Sequence, residues 1–174
     1  MSVHALTEKA QNRRKRYKKH PPETIVIGLD PDSEANAIAT YVEGRLIDLR
    51  ELQIVPLIDY LADLQDTLKD RPVAFCIENV LANNFVYARN VKANRAVQDK
   101  VAVSIGRNQQ AQTEVMRILD FLKIPYSLVP PSKQNWANDK ATFERITGWS
   151  ERSNKDTRSA AYFGWLLSRS VHNV

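Results

Sequence analysis

Cysteine is nearly absent from this chain: Cys76 is the only one among 174 residues. No disulfide can close within it, and no oxidising compartment is implied. Histidine is scarce as well. His4, His20 and His172 lie near the two ends, and with one cysteine they cannot supply a structural zinc site. Any metal would be held by carboxylates, which suit hard cations such as Mg2+, with Mn2+ as a substitute. No apolar run approaches membrane-spanning length. The chain is therefore expected to be soluble and cytoplasmic, with no membrane partner.

What is present is unevenly placed. The formal net charge is +5, yet residues 1–20 alone carry +6, from seven Lys/Arg against the single acid Glu8. The rest of the chain is close to neutral. Residues 1–22 read as a flexible basic arm, with Arg13, Arg14, Lys15, Arg16, Lys18 and Lys19 as candidate contacts to a polyphosphate partner. Such contacts act through counterion release and read no sequence; the alternative is a solubilising tail. The arm lacks the apolar core of a secretory signal. Residues 23–174 read as one globular domain, and 43% apolar residues suffice for its core.

Within that domain, Thr24 to Leu29 is a short apolar run rich in β-branched residues, the pattern of a buried strand. Asn36 to Tyr41 predicts a second strand, Glu43-Gly44-Arg45 a hairpin turn, and Leu46 to Leu52 a third strand antiparallel to the second. Pro56 to Leu68 places Leu57, Ile58, Leu61, Leu64 and Leu68 at helical spacing. Val73 to Ile77 is another buried strand, ending at Glu78. Residues 79–103 are polar and ambiguous. Gly106 to Lys123 carries the stripe Ala111, Val115, Ile118, Leu119 and Leu122 of a helix. Ile124 to Val129 predicts a fifth strand, Lys140 to Thr147 a short helix and Asp156 to Ser168 a final one. A three-strand meander followed by alternating helices and strands is the ribonuclease H-like arrangement. That is an α/β fold with a mixed five-stranded sheet and helices on both faces.

Three acids fall at element ends: Asp30 after the first strand, Glu78 after the fourth and Asp156 at the start of the last helix. Buried strands rarely carry acids, because an unpaired buried carboxylate costs several kcal/mol. Asp30 and Glu78 are thus expected to meet at one sheet edge. Clustered acids repel unless cations neutralise them, and the chemistry that uses such a cluster is two-metal phosphodiester hydrolysis. The plain alternatives are a turn at Asp30-Pro31-Asp32, a solvent-facing Glu78 and a helix cap at Asp156.

The ordered set of segments resembles a known family. Val26-Ile27-Gly28-Leu29-Asp30-Pro31, Cys76-Ile77-Glu78-Asn79-Val80, Ser104 through Ala111, Val129-Pro130-Pro131-Ser132-Lys133 and Asp156-Thr157-Arg158-Ser159-Ala160-Ala161 resemble, in order, RuvC-type Holliday junction resolvases over residues 24–168. The resemblance implies a homodimeric, Mg2+-dependent endonuclease that resolves branched DNA by paired nicks. Its subunits would pair through the helix near 106–123, whose stripe could equally face the core. Asp30, Glu78 and Asp156 match three of the family's four metal-holding acids, and Ser159 stands where the fourth is usual. The Asp-Pro-Gly after the first strand is altered to Asp30-Pro31-Asp32. Lys133 matches a lysine near the scissile phosphate and Lys140 a second. Phe85 or Tyr87 matches an aromatic that wedges against junction bases, unless these rings are core or dimer contacts. Two other readings stay open: a ribonuclease H-like nuclease for another structured DNA or RNA, and a non-catalytic nucleic-acid-binding module. An actin-like ATPase is set aside, since five glycines and one domain do not supply its phosphate loops.

Overall fold

A computed structural model of the chain describes residues 21–67, 71–82 and 95–172. The basic arm of residues 1–20 and the aromatic pair Phe85 and Tyr87 lie outside the described residues. Five strands form one sheet: β1 (Ile25–Asp30), β2 (Asn36–Val42), β3 (Arg45–Leu52), β4 (Val73–Glu78) and β5 (Tyr126–Val129). Their order is β3-β2-β1-β4-β5. The first three make an antiparallel meander, while β4 runs parallel to β1 and β5 parallel to β4. Among the described residues four α-helices flank the sheet: α1 (Ile54–Thr67), α2 (Arg95–Phe121), α3 (Lys140–Thr147) and α4 (Lys155–His172). The expected ribonuclease H-like arrangement is what forms. Among the described residues no helix is long and apolar enough to cross a membrane.

Alternation along the central strands sorts the side chains into two cores. Ile25, Ile27 and Leu29 of β1 and Val73, Phe75 and Ile77 of β4 pack with Leu57 and Leu61 of α1 and Val115 and Leu119 of α2. The opposite face carries Val26, Ala37, Ala39, Ala74 and Cys76 against Ala160, Ala161, Phe163 and Leu167 of α4. The central strands present large side chains to the first face and mostly small ones to the second, which lets α4 approach β1 closely. The approach is tightest between Gly28 and Gly164. A Cβ on Gly28 would fall on the Ala160 carbonyl oxygen and 2.5 Å from the Gly164 nitrogen, and one on Gly164 would lie 2.8 Å from the Tyr41 ring. The Tyr41 hydroxyl closes this seam by donating to the Ala161 carbonyl at 2.9 Å. Trp136 is buried in the same core, with Trp149 and Trp165 packed against it, so all three tryptophans are structural.

Several boundaries differ from the sequence pattern, each for a physical reason. α1 begins two residues before Pro56, because a proline in the first turn forfeits no helical hydrogen bond. α2 begins at Arg95 rather than Gly106. Its first turns leave Val97 and Val103 46% and 56% exposed, so they lack the core-facing stripe by which an amphipathic helix is recognised. α4 runs past Ser168 because Val171 is still buried. β5 starts two residues late, since Pro125 has no N–H to give the sheet and only its carbonyl is used, by Phe75 N.

The hairpin joining β2 to β3 is a two-residue turn in which Glu43 (φ 50°) and Gly44 (φ 79°) both adopt left-handed backbone, the type I′ geometry that matches strand twist. Gly44 suits it; Glu43, with a Cβ, is strained by about 1 kcal/mol. Asparagine tolerates this region. Replacing Glu43 removes only an exposed 3.8 Å ion pair to Arg71, which contributes little. Glu43→Asn is therefore expected to stabilise the protein by roughly 0.5–1 kcal/mol, read as a higher urea midpoint at unchanged slope.

Candidate active site

The same alternation that builds the cores brings two acids together. In β1, Asp30 follows Val26 and Gly28 on the α4 face; in β4, Glu78 follows Ala74 and Cys76 on that face. The parallel register pairs Gly28 with Cys76 and Leu29 with Ile77, so the next step sets Asp30 beside Glu78. Burial raises the carboxyl pKa of both. For Asp30 the Glu78 charge adds to the rise, which carries it well above the ordinary carboxylate range. Among the described residues neither acid has an ion-pair partner. Instead the Ser159 hydroxyl donates to Glu78 Oε2 at 3.4 Å. The described residues thus present an acidic pair at the carboxyl ends of two adjacent parallel strands.

Asp156 stands at the near end of α4 and is exposed. It does not cap the helix. Asn154 does, through a reciprocal pair: Thr157 N donates to Asn154 Oδ1 and Asn154 N to Thr157 Oγ1, both at 2.9 Å, a capping box in outline. The Asp156 carboxylate is thereby left to act on its surroundings, and its charge raises both Asp30 and Glu78. Its own pKa is raised by desolvation and by Asp32 and Glu51, against the opposing charges of Lys155 and Arg158. Asp32 is occupied locally, its Oδ1 accepting from Glu34 N at 2.8 Å.

Buried side chains that the sequence pattern did not single out hold this edge in place. Gln112 of α2 is fully buried; its Oε1 accepts from Leu81 N at 3.0 Å and its Nε2 donates to Asn79 Oδ1 at 3.1 Å. The chain leaving Glu78 is thus pinned. Arg158 is buried, donating to the carbonyls of Trp136, Ala137 and Ser153 at 2.6–3.3 Å. This stitches the loop after β5 onto the start of α4. A polar residue inside an apolar pattern was the only available signal for either. Lys133 lies exposed in that loop. Lys140, the first residue of α3, is exposed and ion-paired with Glu144 one turn on at 3.3 Å.

The donor set fits a hard divalent cation. It consists of oxygen atoms, the Glu78 carboxylate is buried and the neighbouring Asp30 half-buried, and both are destabilised as anions by their surroundings. Among the described residues no three His, Cys, Asp or Glu side chains converge closely enough to enclose an ion by themselves. A Mg2+ ion held by this pair would draw its remaining ligands from water. A stability test follows. Because Asp30 and Glu78 bind protons more tightly folded than unfolded, the stability they contribute is full below the unfolded carboxylate pKa and lost as pH rises through their raised values. In a chelator, the melting temperature is expected to fall as pH rises from about 4. Mg2+ at about 100 times its Kd should restore roughly 2.7 kcal/mol at neutral pH. A melting temperature insensitive to both would contradict the acidic pair.

No protein-family model and no curated protein sequence matches the chain. Solved structures do. Thermus thermophilus RuvC in complex with a Holliday junction substrate aligns over 84% of this chain and 94% of that one, at 18% identity and a TM-score of 0.52. Another Thermus thermophilus RuvC structure aligns over 84% and 95%, also at 18% identity, with a TM-score of 0.48. With β3-β2-β1-β4-β5 as its sheet and helices on both faces, the chain has the RuvC-type resolvase fold.

Proposed function

We propose that the protein is a divalent-cation-dependent endonuclease that cleaves phosphodiester bonds in branched DNA, resolving Holliday junctions by paired nicks. The observation that carries the reading is the Asp30–Glu78 pair: a half-buried and a buried carboxyl side by side at the ends of neighbouring parallel strands, with no ion-pair partner among the described residues. Such a pair costs stability and persists where a site needs it. The RuvC-type fold and the junction bound by its Thermus relative support the substrate class.

In this reading Asp30, Glu78 and Asp156 hold Mg2+, with Mn2+ as substitute. The bound ions supply activated water and charge neutralisation at the leaving oxygen. Glu78 orients the attacking water by accepting its hydrogen bond. Asp156, outside the buried pair and at the mouth of the site, completes the ligand set alongside water and phosphate oxygens. Lys133, exposed on the adjoining loop, places a cation where negative charge develops on the phosphate. Phe85 or Tyr87 stacks on junction bases, a contact worth about 1–3 kcal/mol. Lys140 and the basic arm (Arg13, Arg14, Lys15, Arg16, Lys18, Lys19) contact the DNA backbone. A homodimer formed along α2, whose Val103 and Phe121 are exposed, sets two such sites for paired nicks.

The test is a cleavage panel of four-way junction, flap, linear duplex and RNA–DNA hybrid, in Mg2+ and in Mn2+, with the mass in solution measured alongside. The expected result is two symmetric nicks in the junction by a dimer. Cleavage of flap or hybrid alone would move the substrate to another ribonuclease H-like class. Binding without cleavage in either metal would leave a nucleic-acid-binding module.

A further inference from the structure

Ser159 Oγ donates to Glu78 Oε2 at 3.4 Å and accepts from Asn135 Nδ2 at 3.3 Å. A hydroxyl has one proton, so a donor on its far side turns that proton toward the acids. Asn135 is itself held: its backbone N–H donates to the Ser132 carbonyl and its Oδ1 accepts from Ala137 N. Arg158, the residue before Ser159, grips the carbonyls of Trp136 and Ala137 in the same loop. Donor, hydroxyl and loop are therefore tied to one another, and the series ends on the Glu78 carboxylate.

We propose that Ser159 and Asn135 are positioning residues that aim the Glu78 carboxylate, tying its orientation to the loop that carries Lys133. The inference rests on the nuclease reading above but acts through Glu78 alone. Hydrogen bonds that orient a metal-holding carboxylate are worth about 10–100-fold in metal affinity or rate. Ser159 is buried, and serine to alanine removes one oxygen without adding bulk. Asn135→Asp keeps the shape of the side chain while replacing its donor with an acceptor, which draws the hydroxyl proton away from Glu78.

The experiment compares wild type with Ser159→Ala, Asn135→Ala, Asn135→Asp and the double alanine variant. Its readouts are Mn2+ affinity by calorimetry, kcat and KM on a four-way junction, and melting temperature. Each single variant is expected to lower Mn2+ affinity and kcat by about 10–100-fold with KM for DNA and melting temperature unchanged. The double variant should be no worse than Ser159→Ala, because both substitutions break one chain. Additive losses, losses that track melting temperature, or an Asn135→Asp variant within about twofold of wild type would overturn the proposal. A wild type that binds Mn2+ but nicks no substrate overturns the nuclease reading and leaves this inference to be decided by affinity. A wild type that binds no Mn2+ overturns both.

Discussion

Asp30→Asn is expected to abolish nicking while making the metal-free protein more stable. The loss should be about a thousandfold, since a carboxylate that holds a catalytic cation contributes on the order of 4 kcal/mol at the transition state. Junction binding should persist, because phosphate contacts elsewhere carry it. The gain in stability has a separate cause. Asp30 is raised well above the ordinary carboxylate range, first by burial and next by the Glu78 charge, so near neutral pH its ionisation opposes folding. Asparagine keeps the shape and removes the charge. Opposite signs for activity and stability distinguish a functional acid from a structural one, whose removal lowers both. Glu78→Gln should behave alike, with a smaller gain in melting temperature. A variant that still cuts, or one that melts lower, would remove Asp30 from the site.

Gly28→Ala is expected to be the most damaging single-methyl change in the fold. The new Cβ would meet backbone on α4, the Ala160 carbonyl and the Gly164 nitrogen and Cα within 2.8 Å, and no rotamer change relieves a clash with backbone. Overpacking of this kind costs about 1–3 kcal/mol in ordinary cores and more where nothing can yield; about 3 kcal/mol or greater is anticipated here. Its effect on the site should also exceed its effect on stability. Gly28 lies two residues before Asp30 and on the same face, and Ala160 directly follows Ser159. Pushing α4 away from β1 draws Ser159 off the Glu78 carboxylate. Urea unfolding gives the first quantity, and Mn2+ affinity of the remaining folded protein gives the second. Wild-type values for both would mean that the close approach is unimportant.

Much of this molecule was legible in the order of its residues. The β-branched runs at 25–29 and 73–77, the alternation through 36–41 and the stripes at 57–64 and 111–122 sufficed for the strand order and the mixed sheet. Periodicity dictates which face is buried, and chain order leaves few ways to pair such strands. It also pointed to Asp30 and Glu78, because acids at the ends of apolar strands need a reason. The start of α2 was not legible, since the segment from 95 to 105 presents no core-facing stripe. Nor was the freeing of Asp156, because an aspartate near a helix start reads as a cap until Asn154 is seen to hold that place. Asn135, Ser159, Gln112 and Arg158 matter through partners 21 to 81 positions away, a separation that no local pattern encodes. The tertiary structure alone decided how closely α4 rides on β1 and what therefore surrounds the acids. Identity at a strand end is a local property; the environment that shifts a carboxyl's pKa and fixes its direction is assembled only when distant segments pack.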